Sequence, residues 1–199
     1  MINLISRKVL RYLLKCEVVD NNEDECSHYL YGIEITISSL LNIFLIMSIG
    51  MLLGCIQYSF VFLFVFISLR HMTGGYHAKT YFKCNFSLCV IFCFDIFVAK
   101  YIGQYINKTI CIIILMICTL IALIYCPIVN ENKQVKEELR PIYKILSLML
   151  TYIYGGIGIL LSPSTNKIGI IIILTIFLIY LLVIVARVIV GEKYGKKEC

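Results

Sequence analysis

Long apolar blocks alternate with short charged stretches along most of this chain. The blocks fall at about 33–54, 56–69, 84–99, 109–126, 142–161 and 168–190. A helix that crosses a bilayer core needs about 20 predominantly apolar residues. The pattern predicts an all-α integral membrane protein, one polytopic domain over residues 1–199 with about six transmembrane helices. Gly54, Cys55, Ile56 and Gln57 mark a turn between the first two spans, and the short second span runs straight into Arg70. Ahead of the spans, residues 1–15 place Ile2, Ile5, Val9, Leu10, Leu13 and Leu14 at helical spacing, with Arg7, Lys8, Arg11 and Lys15 between them. That is an N-terminal amphipathic helix, lying on an anionic membrane surface or packed on the protein's own face. It has neither the apolar core nor the small-residue cleavage site of a signal peptide. Residues 17–28, with Glu17, Asp20, Glu23, Asp24 and Glu25, read as a solvated acidic loop.

Composition agrees. Of 199 residues 60% are hydrophobic, and the mean hydropathy is +0.91. A soluble domain is nearer half apolar and rarely strings its apolar residues into such blocks. The net charge of +6 does not point to nucleic acid, because the cations sit in short loops between spans and no nucleic-acid motif accompanies them. They act instead as topology signals. All but Lys100, Lys108 and Lys167 of the 18 Lys and Arg residues fall in the N-terminal arm, the 70–83 segment, the 128–144 loop and the C-terminal end. The positive-inside rule then places both termini and the 70–84 segment on the cytoplasmic side of the membrane. Half of the ten cysteines (Cys55, Cys89, Cys93, Cys111 and Cys118) lie in apolar surroundings, where Cys behaves as a small hydrophobe. No CxxC or paired Cys/His spacing exists, so neither a metal nor another cofactor is expected.

The chemistry concentrates in Arg70 to Cys84, RHMTGGYHAKTYFKC. A cysteine attacks carbonyls as a thiolate and needs a base or a positive field beside it. His77 is the candidate base and Cys84 the candidate nucleophile, while Arg70, Lys79 and Lys83 can supply the field. Seven residues along one straight helix separate the two by about 10.5 Å, too far for a hydrogen bond. A His77–Cys84 dyad therefore requires a bent backbone, and Gly74-Gly75 provides the flexibility. The plainer alternative makes His77 an interfacial anchor and Cys84 a packing residue, and His71 competes as base. Asp95, buried in a span, lies about 16 Å beyond Cys84 on an ideal helix. It is read as a buried partner for a Lys or Tyr.

Arg70, then Gly74-Gly75-Tyr76-His77-Ala78, then Cys84 form the pattern R-x₃-GGYHA-x₅-C. In a chain of this length with six spans, it resembles the accessory gene regulator B (AgrB) family, membrane cysteine endopeptidases of Gram-positive quorum sensing. The basic arm, the acidic loop, the basic loop after Tyr125-Cys126-Pro127 and the terminal spans also fall where that family has them. The resemblance implies that His77 is the base, Cys84 the nucleophile, and Arg70 and Gly75 necessary supports. The substrate it implies is an AgrD-like propeptide with an amphipathic leader and an acidic tail. The tail is cut off, a thioester to the enzyme forms, and the peptide's own thiol or hydroxyl closes a (thio)lactone. A homodimer among membrane lipids is also implied. The competing class is a small transporter or peptide exporter with a polar gating loop at 70–84. That class would tolerate Cys84→Ser and suffer from Asp95→Asn, and the peptidase predicts the reverse.

Overall fold

The computed structural model describes residues 2–16, 22–74, 81–128, 139–162 and 167–195. It consists of helices: α1 (Ile2–Lys15), α2 (Glu23–Leu52), α3 (Ile56–Thr73), α4 (Tyr81–Tyr101), α5 (Lys108–Tyr125), α6 (Arg140–Leu161) and α7 (Ile168–Gly195), with a 3₁₀ turn at Gly103–Tyr105. Six of them, α2 to α7, are long and apolar enough to cross a membrane.

The bundle is built around α7. Of its spanning window 67% is buried, against at most 33% for any other span. Its sequence explains why. Residues 168–184 carry apolar side chains on every face, and a helix apolar all round belongs inside. It packs against α3, α4, α5 and α6. Ile172, Ile176, Ile179, Tyr180 and Val183 meet Val65 and Leu69 of α3 and Cys118 and Ala122 of α5 in one core. The outer spans instead leave large apolar side chains exposed, such as Phe44, Phe64, Phe86, Ile113 and Leu160, as a lipid-facing surface requires.

Lipid tails offer little hydrophobic gain for helix pairing, so close packing and polar pins decide which helices meet. The buried positions of α6 are all small (Ser147, Thr151, Gly155 and Gly158), and they form its inner stripe. Gly158 and Gly169 bring the backbones of α6 and α7 so close that a Cβ on either would strike the other helix. Thr151 and Tyr180 share a 2.6 Å hydrogen bond across the same seam. On the far side of α3, Phe62 stacks on Phe66 and tilts against Phe92 of α4.

Two expected boundaries shift. Glu23, Asp24 and Glu25 begin α2 rather than belonging to a loop. Acids at a helix N-terminus are placed favourably against its dipole, which lets the helix extend outward past its apolar part. The turn between α2 and α3 falls at Leu53–Cys55, with Gly54 at φ 65°. Cys55, within the expected turn, caps α3, while Ile56 and Gln57 already belong to the helix. The first helix, α1, packs on α2, with Ser6 buried and Asn3 Nδ2 donating to Glu34 Oε1 at 2.9 Å. At the end of the bundle carrying Lys100 and Lys167, the Lys167 ammonium donates to the Lys100 carbonyl at 2.8 Å.

Candidate active site

The second span does not stop before Arg70, as its composition suggested. It continues as α3 to Thr73, so Arg70 and His71 occupy the last helical turn. Ser68 and Leu69 precede Arg70, His71 and Met72 follow it, and nothing in the stretch breaks a helix before the glycines. Gly74 ends it, at φ 69° and ψ −155°, a backbone region that is essentially glycine's alone. Its N–H still donates to the Arg70 carbonyl at 3.2 Å. Gly74 also lies beside Ile128 in an isolated parallel bridge, with the Ile128 N–H donating to the Thr73 carbonyl at 3.0 Å. A Cβ at 74 would run into the Ile128 carbonyl oxygen. The chain's need for a break between α3 and α4 is thus met at Gly74, and the break is held by the segment that follows α5.

The next helix, α4, starts at Tyr81, which puts Cys84 in its first turn. Cys84 is a free, half-buried thiol. Beside it Asn85 is buried and accepts a 2.9 Å hydrogen bond from Ser38 of α2, which pins the start of α4 to the neighbouring span. The Arg70 guanidinium, with Nη1 shielded from solvent, interacts electrostatically with Cys84 and with Cys126. A helix N-terminus and a guanidinium favour a thiolate, and burial disfavours it. Cys126 receives part of the same field from Arg70 and Lys144, yet burial outweighs both and pushes its thiol up to about 12. At neutral pH Cys126 stays a thiol, so it is a poor nucleophile despite its neighbours.

The structure thus gathers Arg70, Gly74 and Cys84 at one end of the bundle. His77, Gly75 and Lys79 lie outside the described residues, and of Lys83 only the helical backbone is described. The competing base, His71, is exposed on α3. Sequence reasoning missed the contribution of Cys126 to Ile128 as the brace of Gly74, and missed Ser38–Asn85. The only trace of the second was two polar residues inside apolar spans. Among the described residues no group of three or more His, Cys, Asp or Glu is placed to hold a metal ion.

Asp95 is fully buried, but its partner is neither a Lys nor a Tyr. Its Oδ2 lies 2.7 Å from the Thr175 hydroxyl of α7, and Thr175 Oγ1 is also 2.7 Å from the Ile171 carbonyl. A hydroxyl carries one hydrogen. The Thr175 hydroxyl donates to Asp95 Oδ2 and has the Ile171 carbonyl as its second acceptor. This bond pins α4 to α7, and the other oxygen of Asp95, Oδ1, makes no hydrogen bond.

These features define a six-span membrane protein with a guanidinium-flanked cysteine at the start of one span, backed by a glycine break. The sequence matches accessory gene regulator B (AgrB) over residues 6–186, and the chain belongs to that family. It is similar to Protein FsrB of Enterococcus faecalis (strain ATCC 47077 / OG1RF), 33% identical over 95 residues. That match spans 48% of this chain and 38% of FsrB. No solved structure matches the chain.

Proposed function

We propose that the chain is a membrane cysteine endopeptidase that removes the C-terminal tail of an AgrD-like propeptide and closes the remainder into a (thio)lactone. The observation that carries this reading is the setting of Cys84. It stands in the first turn of α4, half-buried and within the field of Arg70, inside the family's R-x₃-GGYHA-x₅-C pattern. His77 takes the Cys84 proton. The thiolate adds to the carbonyl before the tail, the C–N bond breaks, and the tail leaves with the proton returned by His77 to its new amine. The peptide is now a thioester on Cys84. Its internal thiol or hydroxyl, losing a proton to His77, attacks the same carbonyl. The C–S bond to the enzyme breaks, and Cys84 recovers its proton.

A thioester and a thiolactone are close in energy, so the exchange succeeds only where water is kept from the acyl-enzyme. Holding the internal nucleophile close to the acyl carbon supplies the effective concentration. Arg70, Lys79 and Lys83 attract the acidic tail. The α1 helix meets the leader at the membrane surface, and the 70–84 segment faces the cytoplasm. The working unit is a homodimer, as in the family.

The test is co-expression with short AgrD-like peptides, reading peptide masses for wild type, Cys84→Ala and His77→Ala. Tail loss with wild type alone supports the dyad, and a further loss of one water from the linear fragment reports ring closure. Processing by Cys84→Ala equal to wild type refutes it. Reversing Lys79 and Lys83 to Glu should sharply weaken cleavage with the dyad intact; unchanged cleavage removes them from tail binding.

A further inference from the structure

The proposed reaction passes through an oxyanion twice, first when Cys84 adds to the carbonyl before the tail and again when the ring-closing nucleophile adds to the thioester. Each time the carbonyl oxygen takes a negative charge at the edge of an apolar bundle, where a charge without a hydrogen-bond donor is costly. The main chain beside the nucleophile is a poor source of that donor. Cys84 is the fourth residue of α4, and from there on the backbone N–H groups are taken up by the helix's own hydrogen bonds. The next side chain supplies what the backbone does not. Asn85 is 5% exposed. Its Oδ1 accepts from Ser38 Oγ at 2.9 Å, and among the described residues Nδ2 donates to nothing. The pin to α2 thus uses only the oxygen of the carboxamide, although an amide buried in a span ordinarily spends its N–H groups as well. With Oδ1 turned to Ser38, Nδ2 lies on the other side of the carboxamide and is free for a ligand. The Cα atoms of adjacent residues are about 3.8 Å apart. A nitrogen three bonds from the Asn85 Cα is therefore within reach of an oxygen on a carbon bonded to Cys84 Sγ.

We infer that Asn85 Nδ2 is the oxyanion donor, a catalytic residue beside the nucleophile; this rests on the endopeptidase reading. As the Cys84 thiolate adds to the carbonyl carbon, the C=O electron pair moves onto oxygen, and an Asn85 N–H donates to it. When the C–N bond to the tail breaks, the pair returns and the C=O re-forms. The same donor serves the second addition, which ends with the C–S bond broken. Ser38 is a positioning residue that orients the carboxamide without touching substrate. A hydrogen bond to an ionised oxygen is stronger than one to a neutral carbonyl, so Asn85 lowers the barrier more than it tightens propeptide binding.

The test separates donor from pin, using the purified full-length protein in detergent micelles with an AgrD-like propeptide. Ser38→Ala removes the pin and keeps the N–H groups, whereas Asn85→Leu, of similar size, removes both. Asn85→Leu should lower kcat about a hundredfold with KM nearly unchanged, against a several-fold loss for Ser38→Ala. A propeptide fragment ending in an aldehyde where the tail begins adds the Cys84 thiol to give a hemithioacetal, whose oxygen takes the oxyanion's place. Asn85→Leu should bind this aldehyde about a hundredfold more weakly. Alkylation of Cys84 by iodoacetamide, which forms no oxyanion, should keep its wild-type rate. Asn85→Leu cutting as fast as Ser38→Ala overturns the proposal. So does a loss of alkylation equal to the loss of aldehyde binding, which would report a displaced Cys84. Where Asn85→Leu does not fold, Asn85→Asp decides: it still accepts from Ser38 but has no N–H, and cleavage at the wild-type rate overturns the proposal. Failure of these tests with Cys84→Ala still inactive leaves the endopeptidase reading standing. Cleavage that survives Cys84→Ala defeats that reading and the role of Asn85 with it.

Discussion

Gly74→Ala is the sharpest test of how the candidate site is held. The residue sits at φ 69° and ψ −155°, where a side chain costs about 1–3 kcal/mol in backbone strain. The added Cβ also meets the Ile128 carbonyl, which is main chain and cannot swing aside. Moving it breaks the 3.0 Å bond from the Ile128 N–H to the Thr73 carbonyl, a further loss of about 1 kcal/mol. The two together amount to about 2–4 kcal/mol, which for a chain of this size lowers the melting temperature by roughly 5–15 °C. The effect should be felt beyond stability, because Gly74 also bonds to Arg70, whose charge acts on Cys84. The assay is melting in detergent micelles followed by tyrosine fluorescence, the chain having 14 Tyr and no Trp, beside propeptide processing. Gly156→Ala is the internal control. A Cβ there meets nothing within 4 Å on helix α6, and replacing a helical glycine by alanine stabilises by about 0.5–1 kcal/mol. If Gly74→Ala melts and processes like wild type while Gly156→Ala behaves as stated, the brace between Gly74 and Ile128 does not hold this end of α3.

Asp95→Asn keeps the pin, since its amide oxygen can accept from the Thr175 hydroxyl as the carboxyl oxygen does. It should melt within about 0.5 kcal/mol of wild type and process normally, while Asp95→Ala loses about 1–2 kcal/mol. Loss of processing in Asp95→Asn with the fold intact would favour the transporter reading. Cys126→Ala should retain propeptide cleavage where Cys84→Ala abolishes it. Cleavage that survives Cys84→Ala and fails with Cys126→Ala would move the nucleophile. Cys126 is buried and its thiol, pushed up to about 12, stays protonated from pH 7 to 9, so an alkylating reagent should modify the more accessible Cys84 before Cys126. Site-resolved mass spectrometry of the labelled protein checks the order.

The membrane architecture was legible because bilayer thickness imposes a length on apolar runs that few soluble folds share. The span expected at 142–161 is α6 over Arg140–Leu161, and that expected at 168–190 crosses as Ile168–Val188. What apolar counting could not see is where a polar residue still belongs to a helix. Arg70 marks the end of the apolar run but not of α3, since a long cation can sit in the last turn of a spanning helix and be shielded by its neighbours. The pattern R-x₃-GGYHA-x₅-C pointed to Cys84 without showing what surrounds it. The brace at Ile128, 54 residues after Gly74, is backbone-to-backbone and leaves no mark on residue type. Thr175 was invisible as the partner of Asp95 for a related reason. A single threonine in an apolar run is common, and only the packing of α4 on α7 brings the two together.

The division of labour between helices follows from these placements. A nucleophilic cysteine is useful only if its position is held to a fraction of an ångström, and packing against lipid cannot hold it, because lipid tails are as apolar as the helix they touch. Polar pins can. Ser38 to Asn85 fixes the start of α4 at the residue next to Cys84, and Asp95 to Thr175 fixes its far half to α7. With both in place α4 can neither slide nor rotate, and α7 is itself locked to α6 by Thr151 and Tyr180. Weakening either pin of α4 should therefore harm turnover more than it harms melting. Ser38→Ala, which leaves Asn85 buried without its donor, is the cleaner case. It should lower processing several-fold for about 1 kcal/mol of stability, and restoring a donor with Ser38→Thr should recover the rate. A Ser38→Ala variant that melts lower but turns over at the wild-type rate would show that Cys84 is held by other contacts.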